Sequence, residues 1–359
     1  MKPVRLRDLR GSPPTADRVA LLSLWFRGHN NPRYAELLPR LDRLDAIFLT
    51  LPDSRIPRGI GYRVFKRAKP TLYRRVLGQV ERRYANLLAL DFDQLGYWRR
   101  SAVMDADDPF FTAREVALLQ APCLRAYVVT AEHAARRYEA LGVEKPWVVI
   151  PQGVNLTAAT PELRRAAGAR KRPGELAVGW MAAHLLTAGD PGSENPLYNV
   201  DHMLELWDAI RSRVPDARLW LVGSPSGRLR ARLAGRVDIE LFGRLPRDQA
   251  LATASCFDVS LYARTADQGI RAAKISELIG LGVPTVSYDY EVTANLRETG
   301  AGVLVPDPRA FVDAVVHLLE DDQARAAMAA VARKAGRELD WDVLARRFET
   351  DVLDRYLPY

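Results

Sequence analysis

Almost throughout the chain, short apolar runs alternate with longer segments in which apolar residues recur every three or four positions. The runs 19-VALLSLWF-26, 46-AIFLTL-51, 87-LLAL-90, 102-AVMD-105, 126-AYVVT-130 and 147-WVVIP-151 read as strands, the short interior ones as fully buried. Between them, 33-RYAELLPRLDRL-44 and 132-EHAARRYEALG-142 carry helical spacing. Strand and helix in alternation predict parallel sheets, an α/β fold class.

The texture changes at 152-QGVNLTAATPELRRAAGARKRPG-174, a polar, loop-rich stretch of the kind found at a domain boundary. The alternation then restarts: strands at 176–182, 217–223, 237–243, 257–262 and 284–289, and helices at 199–214 and 247–254. At 359 residues the chain exceeds what one core usually holds. The expected division is an N-terminal domain over 1–155, a second over 156–340, and an amphipathic closing helix over 341–359 that packs back toward the first.

Composition is that of a soluble globular protein, 48% hydrophobic and 27% charged. The basic start has no apolar core of a secretory signal, and no apolar run is long enough to span a bilayer. Cys123 and Cys256 lie far apart in apolar surroundings, which reads as buried thiols in a reducing cytosol rather than a disulfide or metal framework. The net charge of +8 favours anionic partners. Much of it is local: residues 58–84 hold nine Lys/Arg, among them Arg63, Lys66, Arg67, Arg74 and Arg75, and one acid, Glu81. With Tyr62, Phe65, Leu72, Tyr73, Val76, Leu77 and Val80 interleaved, this segment is either a membrane-surface helix or a solvated helix capping a domain. Nothing accompanies the charge to suggest nucleic acid.

Within 269-GIRAAKISELIGLGVPTVSYD-289, Ile275, Leu278 and Ile279 can face a core, and Gly280, Gly282 and Pro284 supply the stop. Lys274 and Glu277 sit three apart on a face that need not be buried. They read either as a surface ion pair or as part of a ligand site, since a loop feeds this helix N-terminus, where backbone N–H groups favour phosphate.

Several stretches in the second half resemble one family. The segments 148-VVIPQGVNL-156, 219-LWLVGS-224, 241-LFGRLPRDQALATASCFDVSLY-262, 274-KISELIGLGVPTV-286 and 300-GAGVLV-305 look like the retaining, nucleotide-sugar-dependent glycosyltransferases of family 4. The resemblance implies the GT-B fold, two facing Rossmann-like domains, with acceptor bound by the first and nucleotide-sugar donor by the second. It implies that Glu277 accepts hydrogen bonds from the donor ribose, and that Lys274 and the backbone of Gly269, Ile270 and Arg271 lie near the diphosphate. Backbone groups at Arg244 and Leu245 would hold the base. Gly28, in 25-WFRGHNNP-32, falls where the family has a glycine loop facing the diphosphate; without the family it reads equally as a strand-to-helix turn.

Two departures stand out. The first glutamate of the family's E-x7-E pair is replaced by Gly269, with Gln268 beside it. The loop 183-AHLLTAGDPGSENPLYNVD-201 lacks the family's Lys-Gly, leaving His184, Arg264 and Arg271 as candidate substitutes, and its length suits a lid or an acceptor contact. In 104-MDADDPFF-111, Asp105 and Asp107 mimic the D-x-D metal motif of another glycosyltransferase fold. The preferred reading is that Asp107 or Asp108 contacts sugar or acceptor; the alternatives are a metal site or caps for a helix starting near Thr112.

The reading that results is transfer of a sugar, with retention, from a nucleoside diphosphate sugar to a hydroxyl acceptor that is lipid-linked or part of a polysaccharide or glycoconjugate. Asp107, Asp108 and Lys274 are the expected catalytic residues. No cofactor or metal is required, the donor being a co-substrate. The enzyme is expected in the cytoplasm or peripherally on the inner membrane face. An epimerase of the same fold, or a non-catalytic partner subunit, are the rival readings.

Overall fold

In a computed structural model describing residues 15–25, 32–50, 58–195, 198–266 and 273–358, the chain divides into two compact units. The first runs to Pro151 and takes in Trp341–Tyr359; the second is Gln152–Asp340. The chain enters the second unit ahead of the boundary expected at residue 155, because Val154 is already bridged to Asp340, its N–H donating to the Leu339 carbonyl at 2.9 Å.

The first unit carries strands β1 (Thr15–Trp25), β2 (Leu44–Thr50), β3 (Tyr84–Ala89), β4 (Ser101–Ala106), β5 (Leu124–Val129) and β6 (Trp147–Val149), and helices α1 (Pro32–Leu37), α2 (Arg58–Val80), α3 (Ala113–Leu119) and α4 (Glu132–Ala140). All pairs are parallel, in the order β2-β1-β3-β4-β5-β6. The helix expected over 33–44 stops at Leu37 and tightens into a 3-10 turn at Leu38–Arg40, where Pro39 has no N–H to donate. One face of the sheet buries Leu22, Leu87 and Met104 against Tyr73, Val76, Leu77 and Val80 of α2. The other buries Leu21, Leu88 and Val103 against Tyr34 and Leu37 and the closing segment, which supplies Trp341, Leu344, Phe348 and Leu353. A strand covered on both faces needs a near-continuous apolar run, as β1 and β5 have.

The second unit carries β7 (Leu176–Leu185), β8 (Ala217–Pro225), β9 (Ile239–Gly243), β10 (Val259–Tyr262), β11 (Thr285–Tyr288) and β12 (Gly302–Val305). Its helices are α5 (Pro161–Gly168), α6 (Asp201–Arg213), α7 (Gly227–Arg232), α8 (Arg247–Ala254), α9 (Ala273–Leu281), α10 (Ala294–Thr299), α11 (Pro308–Glu320) and α12 (Asp322–Glu338). The sheet is again parallel, ordered β12-β11-β10-β7-β8-β9. The stretch read as loop over 152–174 contains α5, started by Thr160, whose side chain accepts from the Leu163 N–H at 3.3 Å, and by Pro161. Helices α11 and α12 are not among the elements read from the sequence. The Asp307 N-cap followed by Pro308 marks the first of them; the second is rich in alanine, and only Ala332 and Gly336 are buried in it. The closing helix, α13 (Trp341–Phe348), continues as a π-helix over Glu349–Asp354 within the first unit.

Candidate functional site

In the second unit the chain runs from β7 outward through β8 and β9, then returns to the other side of β7 with β10. Strand order reverses between β7 and β10, and open α/β sheets take ligands at the carboxyl ends of the strands at such a point. Trp180 of β7 and Tyr262, the last residue of β10, stack there with ring centroids 6.2 Å apart. Arg264 follows at 3% exposure, its Cζ 5.8 Å from the Tyr262 ring and its Nη1 donating to the Tyr262 hydroxyl at 3.2 Å. Burial pushes the Tyr262 phenol above its ordinary value. The Nε and Nη2 of Arg264 and the Nε1 of Trp180 are buried donors with no hydrogen-bond partner among the described residues.

Helix α9 opens beside this edge. Ile275 and Ile279 join one apolar cluster and Leu278 another, the core-facing roles their spacing predicts. Glu277 is only 5% exposed, so the surface-pair reading with Lys274 is not what the fold builds. The carboxylate is held instead by Arg247, the first residue of α8, Nη2 to Oε1 at 2.8 Å. Half-buried Lys274 has its pKa lowered, chiefly by desolvation and further by the charges of Arg264 and Arg247, with Glu277 acting the other way. Arg247 and Lys274 thus share one carboxylate while Arg264 adds a like charge beside Lys274, an arrangement suited to an anionic ligand.

Two basic groups of α7, near the loop that follows β7, are already paired. Arg232 bonds Asp201, and Arg228 lies 4.0 Å from Asp190. Both carboxylates also fix the first loop: Asp190 accepts from the Thr187 N–H at 2.9 Å and Asp201 from the Ala188 N–H at 2.7 Å. His184 is exposed, its ring edge-on to Tyr198. Arg244 is exposed just past the end of β9, and Leu245 packs on the core under α8. Gly243, at φ +72°, sets the turn that carries them.

In the first unit, Asp105 closes the D-x-D reading. Its Oδ2 accepts from Arg33 Nε at 2.9 Å and from the Tyr34 hydroxyl at 2.5 Å, all three residues being buried. Through Oδ2 that carboxylate is a partner of α1. Asp107 and Asp108 follow β4, Asp107 half-buried and Asp108 reaching solvent, where desolvation by the neighbouring chain nonetheless raises its carboxyl. They do not cap α3: Thr112 does so, in a capping box with Glu115. Glu115 also takes the Phe110 N–H at 3.2 Å and the Tyr138 hydroxyl at 3.1 Å, while Phe111, at φ +57°, turns its ring onto Tyr138. Phe110 is left exposed beside the two aspartates.

The basic segment forms α2, and among its described side chains Phe65, Tyr73, Val76, Leu77 and Val80 are buried in the core while Val64 is exposed. Arg67, Arg74 and Arg75 are exposed, and Lys69 is paired with Asp91 and Asp93. The side chains of Arg63 and Lys66 are outside what is described, and so are Gly28, Gly269, Ile270 and Arg271 altogether. Among the described residues the fold brings together Lys274, Glu277 and two arginines. Sequence reasoning missed Arg247; its place directly after the G-R-L-P turn at the start of α8 was the available signal.

Residues 183–321 match the family model of the glycosyl transferases group 1. A phosphatidyl-myo-inositol mannosyltransferase of Mycobacterium leprae (strain TN) is 25% identical over 222 residues, 60% of this chain and 56% of that protein, so the chain spans little more than half of this relative. Among solved structures, WaaG, a glycosyltransferase involved in lipopolysaccharide biosynthesis, superposes with a TM-score of 0.63 at 12% identity, over 95% of this chain and 100% of that one. HepE of Anabaena, solved with UDP-glucose, gives 0.64 at 16% identity over 93% and 99%. The fold is therefore that of the GT-B glycosyltransferases. The stretch matched by the family model, 183–321, covers most of the second unit and less than half of the chain.

Proposed function

We propose that the protein is a retaining glycosyltransferase that moves a sugar from a nucleoside diphosphate sugar to a hydroxyl acceptor, with the donor held by the second unit. The observation that carries this reading is the buried Glu277 carboxylate set among Arg247, Lys274 and Arg264 at the carboxyl edge of the second sheet. A carboxylate with two acceptor oxygens suits the vicinal hydroxyls of a ribose. Cationic charge next to it suits the diphosphate that adjoins the ribose in such donors. The match of residues 183–321 and the likeness to a fold that holds UDP-glucose in HepE support the same reading.

In this reaction the bond from the anomeric carbon to the diphosphate oxygen breaks, and a bond to the acceptor oxygen forms on the same face. The acceptor proton passes to the departing diphosphate. Charge grows on that diphosphate, and Lys274 is the proposed group that stabilises it. Asp107 and Asp108 are the proposed contacts to sugar or acceptor, and Arg244 and Leu245 the backbone support for the base. No step requires a metal or organic cofactor.

The proposed acceptor is lipid-linked or a growing glycan, met at the inner membrane face. With Phe65, Tyr73, Val76, Leu77 and Val80 in the core, the described outer side chains of α2 offer mainly charge: exposed Arg67, Arg74 and Arg75 would each contribute about 1 kcal/mol near an anionic surface. Among the described residues no helix is long and apolar enough to cross a membrane.

Calorimetry with UDP, GDP, ADP and dTDP and their common sugar conjugates, on wild type and Glu277→Ala, tests the proposal. One nucleotide should bind saturably, and the substitution should abolish it; unchanged binding, or none with any nucleotide, overturns the donor site. Release of a sugar isomer without acceptor would identify an epimerase instead.

A further inference from the structure

An arginine side chain taken out of water is ordinarily matched by a carboxylate or fully hydrogen-bonded, because an uncompensated buried charge is strongly unfavourable. Among the described residues of this unit, Arg264 is an exception. Its side chain is 97% removed from solvent, judged by the 3% exposure, and its one hydrogen bond goes to a neutral phenol. The nearby carboxylate, Glu277, is bonded to Arg247, and Arg264 acts on Lys274 as a like charge. The atoms left over are Nε and Nη2, the side-on edge of the guanidinium, which donates two parallel hydrogen bonds to a pair of oxygens on one phosphorus or carbon. A second orphan donor, Trp180 Nε1, belongs to the ring stacked on the same tyrosine.

We infer that Arg264, at the carboxyl end of β10, is the diphosphate-binding cation of this protein, receiving phosphoryl oxygens on its Nε–Nη2 edge in place of a cation from the loop after β7. The inference rests on the donor-site reading and adds to it the group that holds the phosphates. It accounts for two features at once. The loop after β7 has no free cation to offer among its described contacts, since Arg228 and Arg232 are committed to Asp190 and Asp201. Arg264, which lies where strand order reverses, has spare donors and no ion-pair partner among the described residues. Lys274 then serves as a second, more exposed charge on the same anion, and Tyr262 acts as a positioning residue, fixing the guanidinium plane through its hydroxyl. A ligand-free protein holding such a group stores an electrostatic cost that the anion removes, so binding and folding stability are linked.

The test uses thermal unfolding and calorimetry on wild type, Arg264→Met, Arg264→Lys and Glu277→Ala, with inorganic pyrophosphate, UDP and GDP as probes. Pyrophosphate should stabilise wild type and Glu277→Ala alike, because it has no ribose. Arg264→Met should lower pyrophosphate affinity about ten- to a hundredfold, the worth of hydrogen bonds to a charged group, while its ligand-free melting temperature stays level or rises. Arg264→Lys keeps the charge without the fork and should lose most of the pyrophosphate response; it also serves if the methionine variant does not fold. A pyrophosphate response equal to wild type in the arginine variants, or absent from wild type, overturns the inference. A lower ligand-free melting temperature in Arg264→Met with the response intact assigns Arg264 a purely structural role. The donor-site reading is judged separately, by whether Glu277→Ala loses UDP or GDP.

Discussion

Gly280 of α9 and Gly336 of α12 meet backbone to backbone: a methyl group built on Gly336 would lie 2.5 Å from the Gly280 Cα and 3.0 Å from the Ile279 carbonyl oxygen. On the other side, a methyl on Gly280 would come within 2.3 Å of Val154 Cγ1. Gly280 is thus a close-packing residue inside α9 rather than part of the stop, which Gly282 provides at φ +74°. Gly336→Ala must push α12 away from the helix that carries Lys274 and Glu277. Overpacking of this kind costs about 1–3 kcal/mol, so urea unfolding should show a lower midpoint and calorimetry a weaker nucleotide. Gly78→Ala, in α2 with nothing within 4 Å of the added carbon, is the control and should stabilise by up to about 1 kcal/mol.

Arg33, Tyr34 and Asp105 join α1 to β4, and Arg33 Nη1 reaches the carbonyl of Pro151, the last residue before the chain leaves the first unit. Asp105→Ala leaves a buried guanidinium without its carboxylate, a loss of about 3–5 kcal/mol. Replacing both partners with apolar residues should recover much of that. Equilibrium denaturation of the single and double variants measures the difference; equal losses in both would mean the pair is no more than packing volume.

Lys274 makes the site sensitive to alkaline pH in two opposite ways. Its pKa in the fold lies below the ordinary 10.5, so between the two values the unfolded chain holds more protons. The ligand-free protein should therefore gain stability as pH rises through that window. Diphosphate binding, which needs the ammonium, should weaken over the same range. Lys274→Met should flatten both dependences, read by thermal shift with and without nucleotide.

Asp238 sets an acid limit on the second unit. Bonds from Arg236, at 2.9 and 2.8 Å, and from Trp207 Nε1, at 2.9 Å, hold its carboxyl well below the usual range, the arginine being the larger cause. A depressed carboxyl stabilises the fold at every pH above its unfolded value of about 3.9, and that contribution is lost as pH falls toward the folded value. Asp238→Asn should be less stable than wild type near neutrality and converge with it in acid; parallel curves down to the lowest pH would remove Asp238 from the account.

The sequence by itself determined the alternating α/β architecture, because a parallel strand covered on both faces must be written as a near-continuous apolar run, as the interiors of β1, β5 and β8 are. It also determined the core face of α9, since Ile275, Leu278 and Ile279 can share one side only at helical spacing. Local punctuation misled where it had two meanings: the prolines and arginines of 152–174 read as linker but start and clothe α5, and Gly280 read as a stop. What only the tertiary structure decided is who partners whom. Arg247 is thirty residues from Glu277 in a different helix, and Arg33 is seventy-two from Asp105, so no spacing rule joins them. Burial is likewise a property of neighbours: the same Lys-x-x-Glu is a surface pair on an open helix, and part of a desolvated, cation-rich site when α8 and the end of β10 close around it. Charge supplied by the sequence becomes a binding site only once the fold decides which carboxylates are already taken.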